Sequence, residues 1–207
     1  MDAGHLEDLA ETLAHHAAAG SWTVLAGSLP PGAPAAFYAD LVTRLRQVGR
    51  VAVDTSDEPL AALVARLPEA APDLLKPNAE ELASVTGADA DQLETDPEAA
   101  AKAARTLVDR GVRTVLATLG GRGAVLVDAD GAWYAAPPPT VVVSTVGAGD
   151  CTLFGYLLAE LRGLPAPDRL ALAVAYGSAA AGLPGTTIPR PSDLHPEAVD
   201  VQQLDPS

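Results

Sequence analysis

Along this chain short apolar runs take turns with amphipathic stretches, and the hydrophobic period changes from that of a strand to that of a helix at each turn. Trp22-Thr23-Val24-Leu25-Ala26-Gly27, Val51-Ala52-Val53-Asp54-Thr55, Leu74-Leu75-Lys76-Pro77-Asn78 and residues 112–119 read as strands. Helical patterns fill 4–19, 34–48, a stretch through Leu60, Leu63, Val64 and Leu67, 79–86 and 97–110, with Gly20, Gly49 and Gly111 as stops. Residues 123–128 and 132–136 predict a hairpin across Asp130-Gly131, residues 140–146 a further extended segment, and two helices follow, from Gly147 to about Arg162 and over 166–182. This alternation predicts a single α/β domain over 1–207, doubly wound, with a mainly parallel sheet and helices on both faces. Ligands of such sheets collect at the carboxyl ends of the strands. The loops at 27–32, 54–58, 76–81, 118–123 and 144–150 are therefore expected on one edge.

Charge narrows the partners. Thirteen Lys and Arg against 27 Asp and Glu leave a net charge of −14, spread without a tail. Long-range attraction to nucleic acid or to an anionic membrane surface is excluded on that balance, and any phosphate must be held by a local site. The single cysteine, Cys151, rules out an internal disulfide and a multi-cysteine metal site. No apolar run reaches the roughly 18 residues of a membrane-spanning helix. The start, Met1-Asp2-Ala3-Gly4-His5, carries no basic leader, so a cytoplasmic protein is expected.

Three loops could carry chemistry. In Ser144-Thr145-Val146-Gly147-Ala148-Gly149-Asp150-Cys151 a β-branched run passes through small residues into a helix whose first turn bears an aspartate. Free N–H groups and the helix dipole favour an anion there, and glycine allows close approach. Asp150 then reads either as an acid complementing the dipole or as a general base beside a phosphoryl group. No Gly-Lys-Ser/Thr follows, so this is not a Walker A loop, and Thr152 breaks the dinucleotide pattern.

Lys76-Pro77-Asn78-Ala79-Glu80-Glu81 sets Asn78 and Glu81 three apart at a helix start. They read either as a capping box or as a polar contact and a holder of magnesium-bound water. Thr118-Leu119-Gly120-Gly121-Arg122-Gly123 reads as a tight turn or as backbone approaching a nucleotide. Cys151 takes no role, since the helix terminus and the adjoining Asp150 act on its thiol in opposite directions.

Taken in order with Gly27-Ser28-Leu29-Pro30-Pro31-Gly32 and Asp54-Thr55-Ser56, these motifs resemble the PfkB, or ribokinase-like, carbohydrate kinases. Within that family the chain looks most like the 1-phosphofructokinases and tagatose-6-phosphate kinases. The resemblance implies ATP- and Mg²⁺-dependent phosphorylation of a sugar-phosphate hydroxyl, with fructose 1-phosphate as substrate. It makes Asp150 the base, and Gly147, Ala148 and Gly149 the anion hole for the transferring group. Lys76, Asn78, Thr118, Gly120 and Gly123 become nucleotide contacts, Glu81 the metal-side residue, and 174–185 the adenine pocket. Ser144 stands where many members have an aspartate that helps hold a monovalent cation, which argues against a potassium site. The family's first strands, β-lid and Gly-Gly sugar motif have no counterpart before Met1. That leaves two expectations, a kinase domain completed by further chain or by a homo-oligomeric partner, and an inactive nucleotide-binding remnant that pairs with another chain. An unrelated hydrolase lacks support, as no Gly-x-Ser-x-Gly elbow is present.

Overall fold

The computed structural model describes residues 3–18 and 21–205; the expected stop at Gly20 lies outside them. Seven strands form one sheet in chain order: β1 (Trp22–Ala26), β2 (Arg50–Asp54), β3 (Leu74–Leu75), β4 (Thr114–Thr118), β5 (Ala124–Asp128), β6 (Gly131–Ala136) and β7 (Asp200–Leu204). The pairs from β1 to β4 are parallel and those from β4 to β7 antiparallel, so the sheet is mixed. The change comes where crossover connections end. Only residues 119–123 separate β4 from β5, enough for a turn and too few for a helical crossover.

Crossovers of one hand between strands laid down in a single direction must fall on one face. Accordingly α1 (Ala3–His16), α2 (Phe37–Leu45), α3 (Asp57–Ala65), α4 (Ala79–Thr86) and α6 (Pro97–Val108) pack on the side chains of Val51, Val53, Leu75, Val115 and Val125. The intervening residues Ala52, Leu74, Leu116 and Leu126 point the other way, against α7 (Ala148–Leu161) and α8 (Ala166–Ala181). Both faces are thus covered, as the continuous apolar character of β2 and β3 requires.

Three expectations change. The helix expected over 34–48 shortens to α2, and a six-residue helix, α5 (Ala90–Thr95), appears behind the Asp89 cap. Residues 140–146 form no strand, because β6 already has β5 on one side and β7 on the other. Only the Val143 and Ser144 N–H groups find backbone partners, both at the Ala181 carbonyl (2.8 and 3.2 Å), and Val141 is 86% exposed. Finally, β7 closes the sheet from a segment too polar to read as a strand.

Candidate active site

The ends of β1 to β4 are tied edgewise by hydrogen bonds that the parallel register makes possible. The Gly27 N–H donates to the Asp54 carbonyl (2.9 Å), and the Thr55 hydroxyl donates to the Gly27 carbonyl (3.0 Å). The Thr118 N–H donates to the Pro77 carbonyl (2.9 Å). Across this edge Lys76 Nζ lies 3.0 Å from Asp54 Oδ2, with Lys76 only 5% exposed. A lysine is rarely so buried unless paired, and Asp54 is the pair. Burial pushes the Asp54 carboxyl above its ordinary range, Lys76 pulls it down, and the nearby charge of Asp150 adds a further push up.

Asn78 and Glu81 form the capping box at the start of α4. Asn78 Oδ1 accepts the Glu81 N–H and Glu81 Oε2 accepts the Asn78 N–H, each at 2.8 Å. Glu81 is half-buried, and desolvation is the largest influence on its carboxyl, raising it despite the bond from Asn78. The cap leaves Asn78 on the wall of a cleft, so the structural role and a ligand contact are compatible in one residue.

In the 118–123 loop the glycines differ. Gly123 has φ +106°, and a Cβ there would stand 1.9 Å from the Ala135 carbonyl oxygen, so the approach of β5 to β6 demands glycine whatever binds nearby. Gly121 has nothing near its absent side chain. The 147–150 turn opens α7 with Gly147 left-handed at φ +81°. The Ala148 N–H donates to the Thr145 carbonyl at 3.2 Å, so of the three expected donors this one already has a partner. Gly149 stands over the buried cation, since a Cβ built there would lie 3.5 Å from Lys76 Nζ. Asp150 is exposed on the first helical turn.

These loops border one cleft of about 480 Å³. Asn78, Thr118, Gly120, Gly123, Ala148 and Gly149 line it together with Val174, Gly177 and Ser178 of α8. Lys76, Glu81, Gly147 and Asp150 lie outside the lining. The sequence reading missed Pro138, Thr140 and Thr152 on the wall. A hydroxyl pair, Thr140 and Ser178 at 2.6 Å, joins the 137–147 segment to α8. A second cavity of about 460 Å³ lies between Ser28-Leu29-Pro30-Pro31-Gly32 and Ser56-Asp57-Glu58-Pro59. Among the described residues no group of three or more His, Cys, Asp or Glu side chains is gathered to hold a metal. No helix among them is long and apolar enough to cross a membrane.

A phosphate-bearing ligand fits this arrangement. The side-chain-free surface at Gly149 leaves the space above the Lys76 ammonium open, and a side chain there would fill it. Magnesium bound mainly by phosphate oxygens and water needs few protein carboxylates.

Residues 3–193 match the sequence profile of the pfkB family of carbohydrate kinases. The chain is 41% identical over 192 residues to a 1-phosphofructokinase of Rhodobacter capsulatus, covering 91% of this chain and 58% of that protein. It is 33% identical over 183 residues to a D-tagatose-1-phosphate kinase of Klebsiella oxytoca, covering 86% and 58%. Among solved structures, phosphofructokinase-2 from Escherichia coli in complex with potassium superposes with a TM-score of 0.83 at 30% identity, covering 93% of this chain and 60% of that one. The chain therefore spans about three fifths of the length of these relatives. With nearly all of its length matching, the chain belongs to the pfkB family of carbohydrate kinases.

Proposed function

We propose that this chain carries the nucleotide side of an ATP-dependent sugar-phosphate kinase that converts fructose 1-phosphate to fructose 1,6-bisphosphate. The observation that carries the reading is the meeting of three separate loops, at Asn78, Thr118–Gly123 and Ala148–Gly149, around one cleft at the carboxyl edge of the sheet. Phosphoryl transfer asks a protein mostly for positioning and charge stabilisation, and the cleft offers a helix N-terminus and glycine backbone, with one buried ammonium beside Gly149 just beyond its wall. The bound Mg·ATP supplies the γ-phosphoryl group and, through the metal, neutralises its charge. Asn78, Thr118 and Gly120 hold the nucleotide and Glu81 orients metal-bound water. Gly147 and Gly149 N–H groups face the transferring oxygens, with Ala148 joining them if its N–H leaves Thr145. Asp150, exposed on the first turn of α7, takes the proton of the attacking hydroxyl. The substrate assignment draws on the names of the 1-phosphofructokinase relatives and on the 28–32 loop beside the second cavity.

Calorimetric titration of the folded chain with MgATP and MgADP tests the nucleotide part. Binding is expected, and its absence in a cooperatively folded sample rejects the reading. Fructose 1-phosphate turnover is tested by ³¹P NMR on this chain and on the chain joined to the additional length its relatives have. A product phosphorylated elsewhere than O6 rejects the substrate assignment.

One observation favours a partner. β1 is the outer strand of the described sheet, and Val24 on it is 43% exposed although the strand is apolar. An open edge of this kind pairs readily. A second copy of the chain or a complementing segment is the proposed occupant.

A further inference from the structure

Lys76 is one of only two lysines in the chain, and its ammonium is buried with Asp54 Oδ2 3.0 Å away. β2 and β3 pair in register at Val53 and Leu75, so the next residues, Asp54 and Lys76, leave their strands side by side. Asp54 is itself fixed from the far side. Its carbonyl accepts the Gly27 N–H (2.9 Å), while the hydroxyl of its neighbour Thr55 donates to the Gly27 carbonyl (3.0 Å). The pair thus sits between Gly27, which leads into the loop beside one cavity, and Gly149, which lines the other. Above Lys76 lies Gly149, whose missing side chain keeps the ammonium 3.5 Å from an otherwise fillable position.

We infer that Asp54 is a positioning residue, holding the Lys76 ammonium under Gly149 so that the cation meets a nucleotide's terminal phosphates and not its base or ribose. The inference rests on the nucleotide reading of the cleft. A lysine stem has four rotatable bonds and no preferred aim of its own. A carboxylate anchored through its own backbone supplies that aim.

With two lysines, selective ¹³Cε labelling of lysine gives one signal from Lys76 and one from Lys102. The full chain is titrated with MgADP and, separately, with adenosine, by calorimetry and by following those signals. In the wild type MgADP is expected to move the Lys76 signal and leave that of Lys102 in place. Asp54→Asn is expected to shift the Lys76 signal in the free protein and to weaken MgADP roughly 10- to 100-fold, the range for losing a charge-assisted contact. Adenosine affinity should stay within about two-fold, which a general loosening of the fold would not leave intact. Asp54→Asn combined with Lys76→Met removes both buried charges and keeps the test alive if the single variant folds poorly. This double variant should bind MgADP no more weakly than Lys76→Met alone. Wild-type binding with no loss in Asp54→Asn, or equal losses for MgADP and adenosine, overturns the positioning role. Absence of any MgADP response in the folded wild type instead overturns the nucleotide reading beneath it.

Discussion

Gly149 and Lys76 stack at the junction of α7 with β3, so close that a Cβ on the first would stand 3.5 Å from the ammonium nitrogen of the second. The contact distance is ordinary for two atoms in van der Waals reach. A side chain is therefore tolerated by the fold at Gly149.

Gly149 and Gly123 should consequently separate binding from folding. Gly149→Ala is expected to unfold at or slightly above the wild-type temperature, because alanine stabilises a helix relative to glycine by about 0.4–1 kcal/mol. Its MgATP affinity should fall by about ten-fold or more, some 1.4 kcal/mol. Gly123→Ala, with φ +106° and the Ala135 carbonyl in the way, should lose about 2–5 kcal/mol of stability from strain and overlap. Denaturant melts and calorimetry on both variants check the pair. Equal stability of the two would contradict it.

Asp150→Asn distinguishes a base from a helix-terminal acid. For a base, ATP affinity should hold within a few-fold while kcat drops by roughly 10²–10⁴. For a dipole-complementing acid, the loss is about 0.3–1 kcal/mol of stability with little change in rate. Steady-state kinetics on the chain in its active form decide, and retention of more than about a tenth of kcat removes the base assignment.

Burial raises the Glu81 carboxyl in the folded chain, so its contribution to stability is fully present below its unfolded value and is lost as pH rises through the folded value. Glu81→Gln removes that titration while keeping an oxygen for the Asn78 N–H. Measured in EDTA, the variant should gain on the wild type as pH rises from about 4 to 7. A difference that stays flat, or runs the other way, would show that the carboxylate is not strained by its surroundings.

The open side of β1 should make the chain associate. Light scattering at tens of micromolar is expected to report a dimer or larger species, and Val24→Lys, charging the edge, should shift it toward monomer. A monodisperse monomer of the unaltered chain would mean that the edge is satisfied without a partner.

Much of the fold could be read from periodicity because strands buried on both faces need continuous apolar runs, and Val51-Ala52-Val53 and Leu74-Leu75 are such runs. The same signal misled at 140–146. Six of the seven residues there are β-branched and favour extension, yet a strand needs a neighbour, and β6 had none to give. Asp200-Val201-Gln202-Gln203-Leu204 failed in the opposite sense, being an outer strand with little apolar content. In the site, each loop was visible as a local motif, and the capping box at Asn78 and Glu81 followed from spacing alone. The Asp54–Lys76 pair did not, since it exists only through the parallel register of β2 and β3. Thr140 and Thr152 carried no motif and came to the cleft through the packing of α8.

Helix α7 meets α8 through two glycines with no room to spare. A Cβ at Gly155 would lie 2.8 Å from the Leu172 carbonyl oxygen, and one at Gly177 would lie 2.2 Å from Thr152 Oγ1. Helices packed this closely resist sliding and rotation, because displacement drives Gly155 into the Leu172 carbonyl or Gly177 into the Thr152 hydroxyl. The direction in which the first turn of α7 points its N–H groups is thus set at folding, and donors already aimed cost nothing to reorient during a reaction. The other wall of the cleft is not helical. That wall is residues 137–147, a stretch without regular structure that is fastened to α8 by the Thr140–Ser178 hydroxyl pair and two bonds to Ala181.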